Sequence, residues 1–391
     1  MAVVGSFLQV FRREWCRMCS RRIYFLSVVL LPLFLIFFMS TIFGTGQMER
    51  IPIAIVDADN TATSRSVARN IAAVPTFDVV TWYADDMVAR RALERKEIYG
   101  YLSIPPDFEA DMLRGAGATL CYYYHYALLA VGGEVMSAFE MGLLPVRMAP
   151  IVLDAVALGG DENTMETFLL PMETDSHTLY NPSLNYAAYL SQPIFFIMFQ
   201  VLVLLVTLYA MGHETKYATG ENWLQAANGN ILAAVLGKLL PYFLFFSAEA
   251  LLANYIFFEI VRIPFSGSWF VLQLSSILFV IATQSVAVVL FSLFPAFSLV
   301  ISVVSMVGSL GATLSGLTFP LSAMSPVVRY VAALFPIRHF TRLVQMIVYY
   351  NGYLASCWSI LALLLLYPLI ALLLLPRLKR LILSHRYDTF G

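Results

Sequence analysis

Residues 23–43 read IYFLSVVLLPLFLIFFMSTIF, a run of 21 positions without a charge. A helix needs about 20 apolar residues to cross a hydrocarbon core about 30 Å thick, so this run is long enough to span one. A secretory signal peptide is the competing reading. Its apolar region would hold about 7–15 residues and end in a small-residue cleavage site. Here the run is longer and passes into Phe43-Gly44-Thr45-Gly46, so we expect a retained transmembrane helix over 23–45. Further apolar stretches at about 187–211, 231–258, 269–293, 297–319 and 355–376 approach or exceed the same length. Each must be helical, because in lipid only a helix satisfies its own backbone donors and acceptors. Of the 391 residues, 60% are hydrophobic and 13% charged, against roughly half and a quarter in soluble domains. One watery core cannot hide that excess. The net charge of −1 argues against a nucleic-acid partner.

Between the first two spans the composition changes. Residues 46–181 hold 19 of the 25 acids but only 9 of the 24 lysines and arginines. Short apolar runs at 51–56, 77–82, 99–104 and 119–124 read as strands. Helical segments are expected at 64–73, from Asp85 to about Lys96, after Pro105-Pro106, and over 127–158 as one or two helices broken or kinked near Pro145 and Pro150. Strands alternating with helices indicate a small α/β domain. The predicted fold class is therefore a polytopic α-helical membrane protein of about six transmembrane helices with an inserted α/β extracytoplasmic domain.

Charge sets the expected orientation. Residues 4–20 form an amphipathic pattern, with Val4, Phe7, Leu8, Phe11, Trp15 and Met18 on one face, and the first 22 residues carry five arginines and one acid. Such a helix suits the cytoplasmic membrane surface. The tail 377–391 carries Arg377, Lys379, Arg380 and Arg386 against Asp388. Both termini are thus expected in the cytoplasm and 46–181 outside, with the 212–229 loop cytoplasmic within the span region 182–376. Segment 320–353, with Pro320, Pro326, Pro336, Arg329, Arg338 and Arg342, then falls outside. It reads as short helices dipping into the membrane, or as a surface amphipathic pair.

Chemistry is sparse. No G-x-x-x-x-G-K-[ST] loop, H-E-x-x-H or G-x-S-x-G occurs, so the chain lacks those routes to ATP or hydrolysis. Histidines 125, 177, 213, 339 and 385 are scattered and indicate no metal. Cys16 and Cys19 lack a second ligand pair for zinc. Asp57-x-Asp59-x-Thr61 begins like a calcium loop but lacks the later glycine and glutamate, so a solvated turn is expected. Within the spans, ionisable groups are costly and usually face the bundle interior. Lys238 is expected to snorkel to the cytoplasmic interface. Glu249, Gln200, Asn254 and Gln284 are the candidate translocation-path residues, with a helix–helix hydrogen bond from Glu249 to Gln200 or Gln284 as the structural alternative. Gly308, Ser309, Gly311, Ala312, Ser315 and Gly316 indicate close helix packing.

The whole chain resembles the permeases of type-2 ABC (ABC-2) exporters, in the subgroup with a large domain between the first two spans. The likeness is carried by the order of elements and by local stretches: Ile51-Pro-Ile-Ala-Ile-Val-Asp57-Ala-Asp59, Gly100-Tyr-Leu-Ser-Ile-Pro105-Pro-Asp-Phe108, Thr219-Gly220-Glu221-Asn222-Trp223-Leu224, Gly237-Lys238 with Pro241, and Ser315-Gly316, Pro320, Met324, Pro326, Pro336 and Arg342. The resemblance implies two permease subunits, identical or different, joined to two separate ABC ATPase subunits. It implies no cofactor, and no ATPase site on this chain. Glu214, Gly220, Glu221, Trp223 and Leu224 would couple to the ATPase, although the Thr219-Gly220 order is reversed and Asn228 stands near a common proline. A hydrophobic or amphipathic cargo, a bacterial inner-membrane location among membrane lipid, and docking of a periplasmic adaptor protein are further expectations. An ion-coupled secondary transporter would need repeated halves and paired acids near the midplane. A sensor or scaffold with a ligand-binding exterior domain would need an output domain. The sequence supplies neither.

Overall fold

A computed structural model describes residues 2–42, 48–114, 118–157, 187–294, 297–350 and 352–384. The chain divides into two compact units, residues 47–178 and residues 1–46 with 179–391. Expectations for 158–186, which include His177 and the approach to the second span, and for Arg386 and Asp388 of the tail lie outside the described residues.

In the smaller unit, β1 (Ile51–Asp57), β2 (Phe77–Tyr83), β3 (Gly100–Ile104) and β4 (Cys121–Tyr124) form one sheet in the order β2-β1-β3-β4. β1 pairs parallel with β2 and β3, and β3 pairs antiparallel with β4. Both faces of the central strands are buried. Ile51, Ile53, Leu102 and Ile104 pack with Val135, Phe139 and Leu143 of the Leu129–Ala157 helix. Ala54, Val56 and Tyr101 pack with Ala89 and Ala92 of the Asp86–Glu94 helix. Gly100 is required by this packing, since a Cβ there would lie 2.9 Å from Val135 and 3.0 Å from Phe139. Of the one or two helices expected here, the structure has one, Leu129–Ala157, which continues past Pro145 and Pro150. An internal proline removes one backbone bond, but Val135, Ala138, Phe139 and Leu143 anchor the preceding turns in the core.

The acidic turn after β1 is built for capping. Asp57 accepts from the amides of Asp59 and Asn60 and from the Ser64 hydroxyl. Asp59 accepts from the Thr61 hydroxyl and the Glu109 amide. Thr61 and Ser64 complete a reciprocal cap on the Ala62–Ala72 helix, as such residues do at helix starts. No cluster able to hold a metal occurs among the described residues.

The larger unit starts with the amphipathic helix Ala2–Ser20. Among the described residues, five helices are long and apolar enough to cross a membrane: Arg22–Ile42, Tyr189–Lys216, Ile231–Ile260, Trp269–Leu293 and Leu354–Leu383. Helices Pro326–Ala332 and Pro336–Tyr349 meet at 91°, and together they make a sixth if counted as one broken span. The span expected at 297–319 is an 18-residue helix, Phe297–Leu314, about 27 Å long. It stops early because Gly316 takes φ +83°, and Ser315 bonds back to Ala312 while accepting from the Leu317 amide. A left-handed glycine is a common helix stop. The last helix continues through Pro376 to Leu383, so the segment taken as a tail from 377 is helical as far as Leu383. Arg377 donates to the Ser292 carbonyl at 3.1 Å and Lys379 to the Gly229 carbonyl at 2.6 Å, which anchors that extension to its neighbours.

Glu140, in the smaller unit, accepts from the Tyr122 hydroxyl and from Arg147 at 2.9 Å. These bonds, the tyrosine's first, hold its carboxyl below the ordinary carboxylate value. A depressed value means that the linked stabilisation is present above the unfolded pKa of about 4.3 and is lost as pH falls through the folded value. A carbon-13 carboxyl titration of the full chain, assigned with E140Q, is expected to show a midpoint below about 4.3 that rises in Y122F. An unchanged midpoint in Y122F would refute that coupling.

Candidate functional site

The most heavily charged buried place in the larger unit joins three segments far apart in sequence. The Ala2–Ser20 helix supplies Arg13, Glu14 and Arg17, which fall on adjacent turns. The end of the Tyr189–Lys216 helix supplies Glu214, and the Ile231–Ile260 helix supplies Lys238 and Tyr242. Lys238 Nζ lies 2.9 Å from Glu14 Oε2 and 2.7 Å from Glu214 Oε1. Arg17 bonds Glu214 at 2.6 Å and Glu14 at 3.2 Å, and Arg13 bonds Glu214 at 2.9 Å. Tyr242 donates to the other Glu14 oxygen at 2.9 Å, and Thr219 donates to Glu214 at 2.6 Å. Lys238, Glu214 and Glu14 are each 1% exposed or less. The expected snorkelling of Lys238 does not occur, because two carboxylates reach its ammonium inside the protein. Desolvating such ions is expensive, and here every carboxylate oxygen has a donor.

The short helix Gly220–Ala226 sits against this cluster. Trp223, 1% exposed, donates its indole N–H to the Ala234 carbonyl at 3.1 Å and places its ring 5.2 Å from Lys238 Nζ, a cation–π distance. Leu224 is also buried. Gly220 lets the helix approach the last span, since a Cβ would lie 2.7 Å from Ile382. Gly237 does the same for the N-terminal helix: its Cβ would lie 2.9 Å from the Phe7 carbonyl oxygen. Of the five coupling candidates, Glu214, Gly220, Trp223 and Leu224 are therefore buried, and Glu221 is exposed beside Asn222 and Gln225.

The four path candidates do not come together. Asn254 accepts from Gln192 at 3.4 Å and donates to Gln273 at 3.1 Å and Ser276 at 2.8 Å. Glu249 is buried, and neither carboxylate oxygen has a hydrogen-bond partner among the described residues. The alternative bond to Gln200 or Gln284 is absent. Gln284 lines an apolar groove of about 600 Å³ with Phe7, Leu239 and Leu375. Gln200 lines a separate cavity of about 540 Å³ with Met306, Phe335, His339 and Tyr367. The small-residue stripe of 297–314 packs within the chain: a Cβ at Gly308 would lie 2.6 Å from Val201 and one at Gly311 3.1 Å from Gln200.

Sequence reasoning missed Glu14 and its two arginines as site residues. The available signal was that Glu14 is the one acid among five arginines in the first 22 residues.

A multi-span helical unit with an amphipathic helix before the first span, a buried charge joint under a short helix, and an α/β unit inserted after the first span defines a membrane transport subunit. The chain matches the ABC-2 family transporter protein family over residues 22–375 and belongs to it. It is a multi-pass ABC-type permease. Comparison with curated proteins and with solved structures gave no match.

Removing Lys238 leaves two buried carboxylates short of a shared partner, a change that costs about 3–5 kcal/mol in comparable buried pairs. K238M is expected to lower the thermal midpoint of the detergent-solubilised chain sharply, with partial recovery in K238M/E14Q. Equal midpoints for wild type and K238M would show that the cluster contributes no stability.

Proposed function

We propose that this chain is the permease of an ATP-driven exporter, paired with a second permease and two separate ABC ATPase subunits. It would move a hydrophobic or amphipathic cargo outward across a bacterial inner membrane. Both termini and the 212–229 loop would face the cytoplasm and the 47–178 unit the exterior, where a periplasmic adaptor protein would dock. The observation that carries this reading is the construction of Gly220–Ala226. It is a short helix held on its inner side by Trp223, Leu224 and the Lys238–Glu214 pair, with Glu221, Asn222 and Gln225 exposed. A chain without a nucleotide-cradling loop needs such a fixture to receive work from another polypeptide. ATP-driven closure of the ATPases would move this rigid piece and with it the helices it joins. A change of state requires differential contact with the partner in the two states, and the exposed residues are the ones placed to supply it.

In this division of labour Glu221 contacts the ATPase, while Glu214, Gly220, Trp223 and Leu224 keep the helix in place. Gln200, Glu249, Asn254 and Gln284 remain the proposed polar positions along the path of cargo in the two-permease assembly. The test is co-purification with an ABC ATPase expressed together with this chain. We expect E221K/Q225E to leave the thermal midpoint unchanged but reduce ATPase capture and cargo-stimulated hydrolysis at least about tenfold, about 1.4 kcal/mol. Transport in vesicles driven by a proton gradient without ATP would replace this reading with an ion-coupled one, in which the unpartnered Glu249 would be the first residue to test.

A further inference from the structure

From residue 260 to 387 the sequence contains no aspartate or glutamate, yet it carries Arg262, Arg329, Arg338 and Arg342. Arg342 lines a cavity of about 540 Å³ with Tyr189, Ser315, Thr318, Leu321 and Gln345. Tyr189 opens the helix that ends beside Glu214. At 1.5 Å per residue the cavity therefore lies about 37 Å along that helix from the buried charge joint, at the opposite end of the bundle. On the proposed orientation that is the exterior end.

Two features make this more than a surface dent. The wall formed by 315–321 is shaped by Gly316 in its left-handed conformation against Leu321, and the Tyr189 hydroxyl holds the Leu317 carbonyl. The charge is unmatched among the described residues. Arg342 is exposed and makes no hydrogen bond or ion pair among the described residues. Arg338 lies close enough to Arg329 and Arg342 to feel their like charge. Basic residues beside spans are normally enriched on the cytoplasmic side. A cluster of them at the other end, with no acid in the same 128 positions and no ion pair to Arg329, Arg338 or Arg342 among the described residues, is placed to receive an anion. Guanidinium groups take carboxylate and phosphate in paired, charge-assisted bonds. Thr318 and Gln345 place further donors on the same cavity, and Leu317 and Leu321 add an apolar wall. The volume is in the range of small-molecule sites, about 300–1,000 Å³.

We propose that this cavity binds the anionic headgroup, phosphate or carboxylate, of an amphiphile at the exterior end of the bundle, with Arg342 as the selecting charge. The proposal deepens the exporter reading by naming the class of cargo, and its location at the outlet rests on that reading. The binding does not, so it is tested on the purified permease alone, without ATPase or ATP. The full chain in phosphatidylcholine nanodiscs would be titrated with short-chain phosphatidic acid, and separately with inorganic phosphate, following bound lipid by native mass spectrometry. We expect phosphatidic acid to be retained over phosphatidylcholine. R342Q should lose about tenfold of that preference, R342K should keep part of it, and R262Q, outside the cavity, should behave as wild type. An equal loss in R262Q would show a diffuse surface charge and overturn the site. Undiminished preference in R342Q, or binding of inorganic phosphate without any lipid preference, would overturn the headgroup assignment. Arg342 is exposed, so R342Q is expected to fold, and an unchanged thermal midpoint verifies it.

Discussion

The ammonium of Lys238 lies between the carboxylates of Glu14 and Glu214, inside the protein and against the ring of Trp223. Much of the larger unit depends on that arrangement. The two acids come from different segments, so one cation ties the N-terminal helix and the end of the Tyr189–Lys216 helix to the Ile231–Ile260 helix. The residues around it serve the same joint. Gly237 permits the close approach, Tyr242 and Thr219 fill the remaining lone pairs, and Arg13 and Arg17 balance the second acid. A partly satisfied network at this depth would be worse than an apolar one. Arg13 leaves one buried N–H group without a partner among the described residues, but a donor on every carboxylate oxygen is what allows these charges to be buried beside a membrane-spanning bundle.

The two ends of the bundle handle charge in opposite ways. At one end arginines and a lysine are neutralised by acids within the chain. At the other, Arg329, Arg338 and Arg342 surround a 91° elbow and a glycine-built turn, with no carboxylate in the surrounding sequence. The first arrangement closes its charges within the chain; the second, on the proposal above, would hold an anionic ligand.

Polar residues within the spans have separate roles. Asn254 belongs to a set of hydrogen bonds with Gln192, Gln273 and Ser276. Gln200 and Gln284 each line a different apolar cavity, and Glu249 is enclosed without a partner. Seen in one subunit, these are four positions and not one channel. A continuous path would have to be completed by the second permease.

The sequence alone was sufficient for the rough limits of five long apolar helices, the four strands between the first two of them, and the turn at Asp57 to Thr61. These depend on interactions short in sequence, such as hydropathy over some twenty positions, period-two alternation, and hydrogen bonds within a turn. Where local signals misled, a distant contact was the cause. Pro145 and Pro376 do not end their helices because packing on the sheet in one case and bonds to Ser292 and Gly229 in the other hold the flanking turns. The charge joint was illegible for the same reason: Glu14 and Lys238 are 224 positions apart, and nothing in either neighbourhood specifies the other. Coulombic and hydrogen-bond partners depend on distance in space, and only the folded chain determines that Glu14 meets the lysine of the third span and that Arg13 and Arg17, of five N-terminal arginines, meet Glu214.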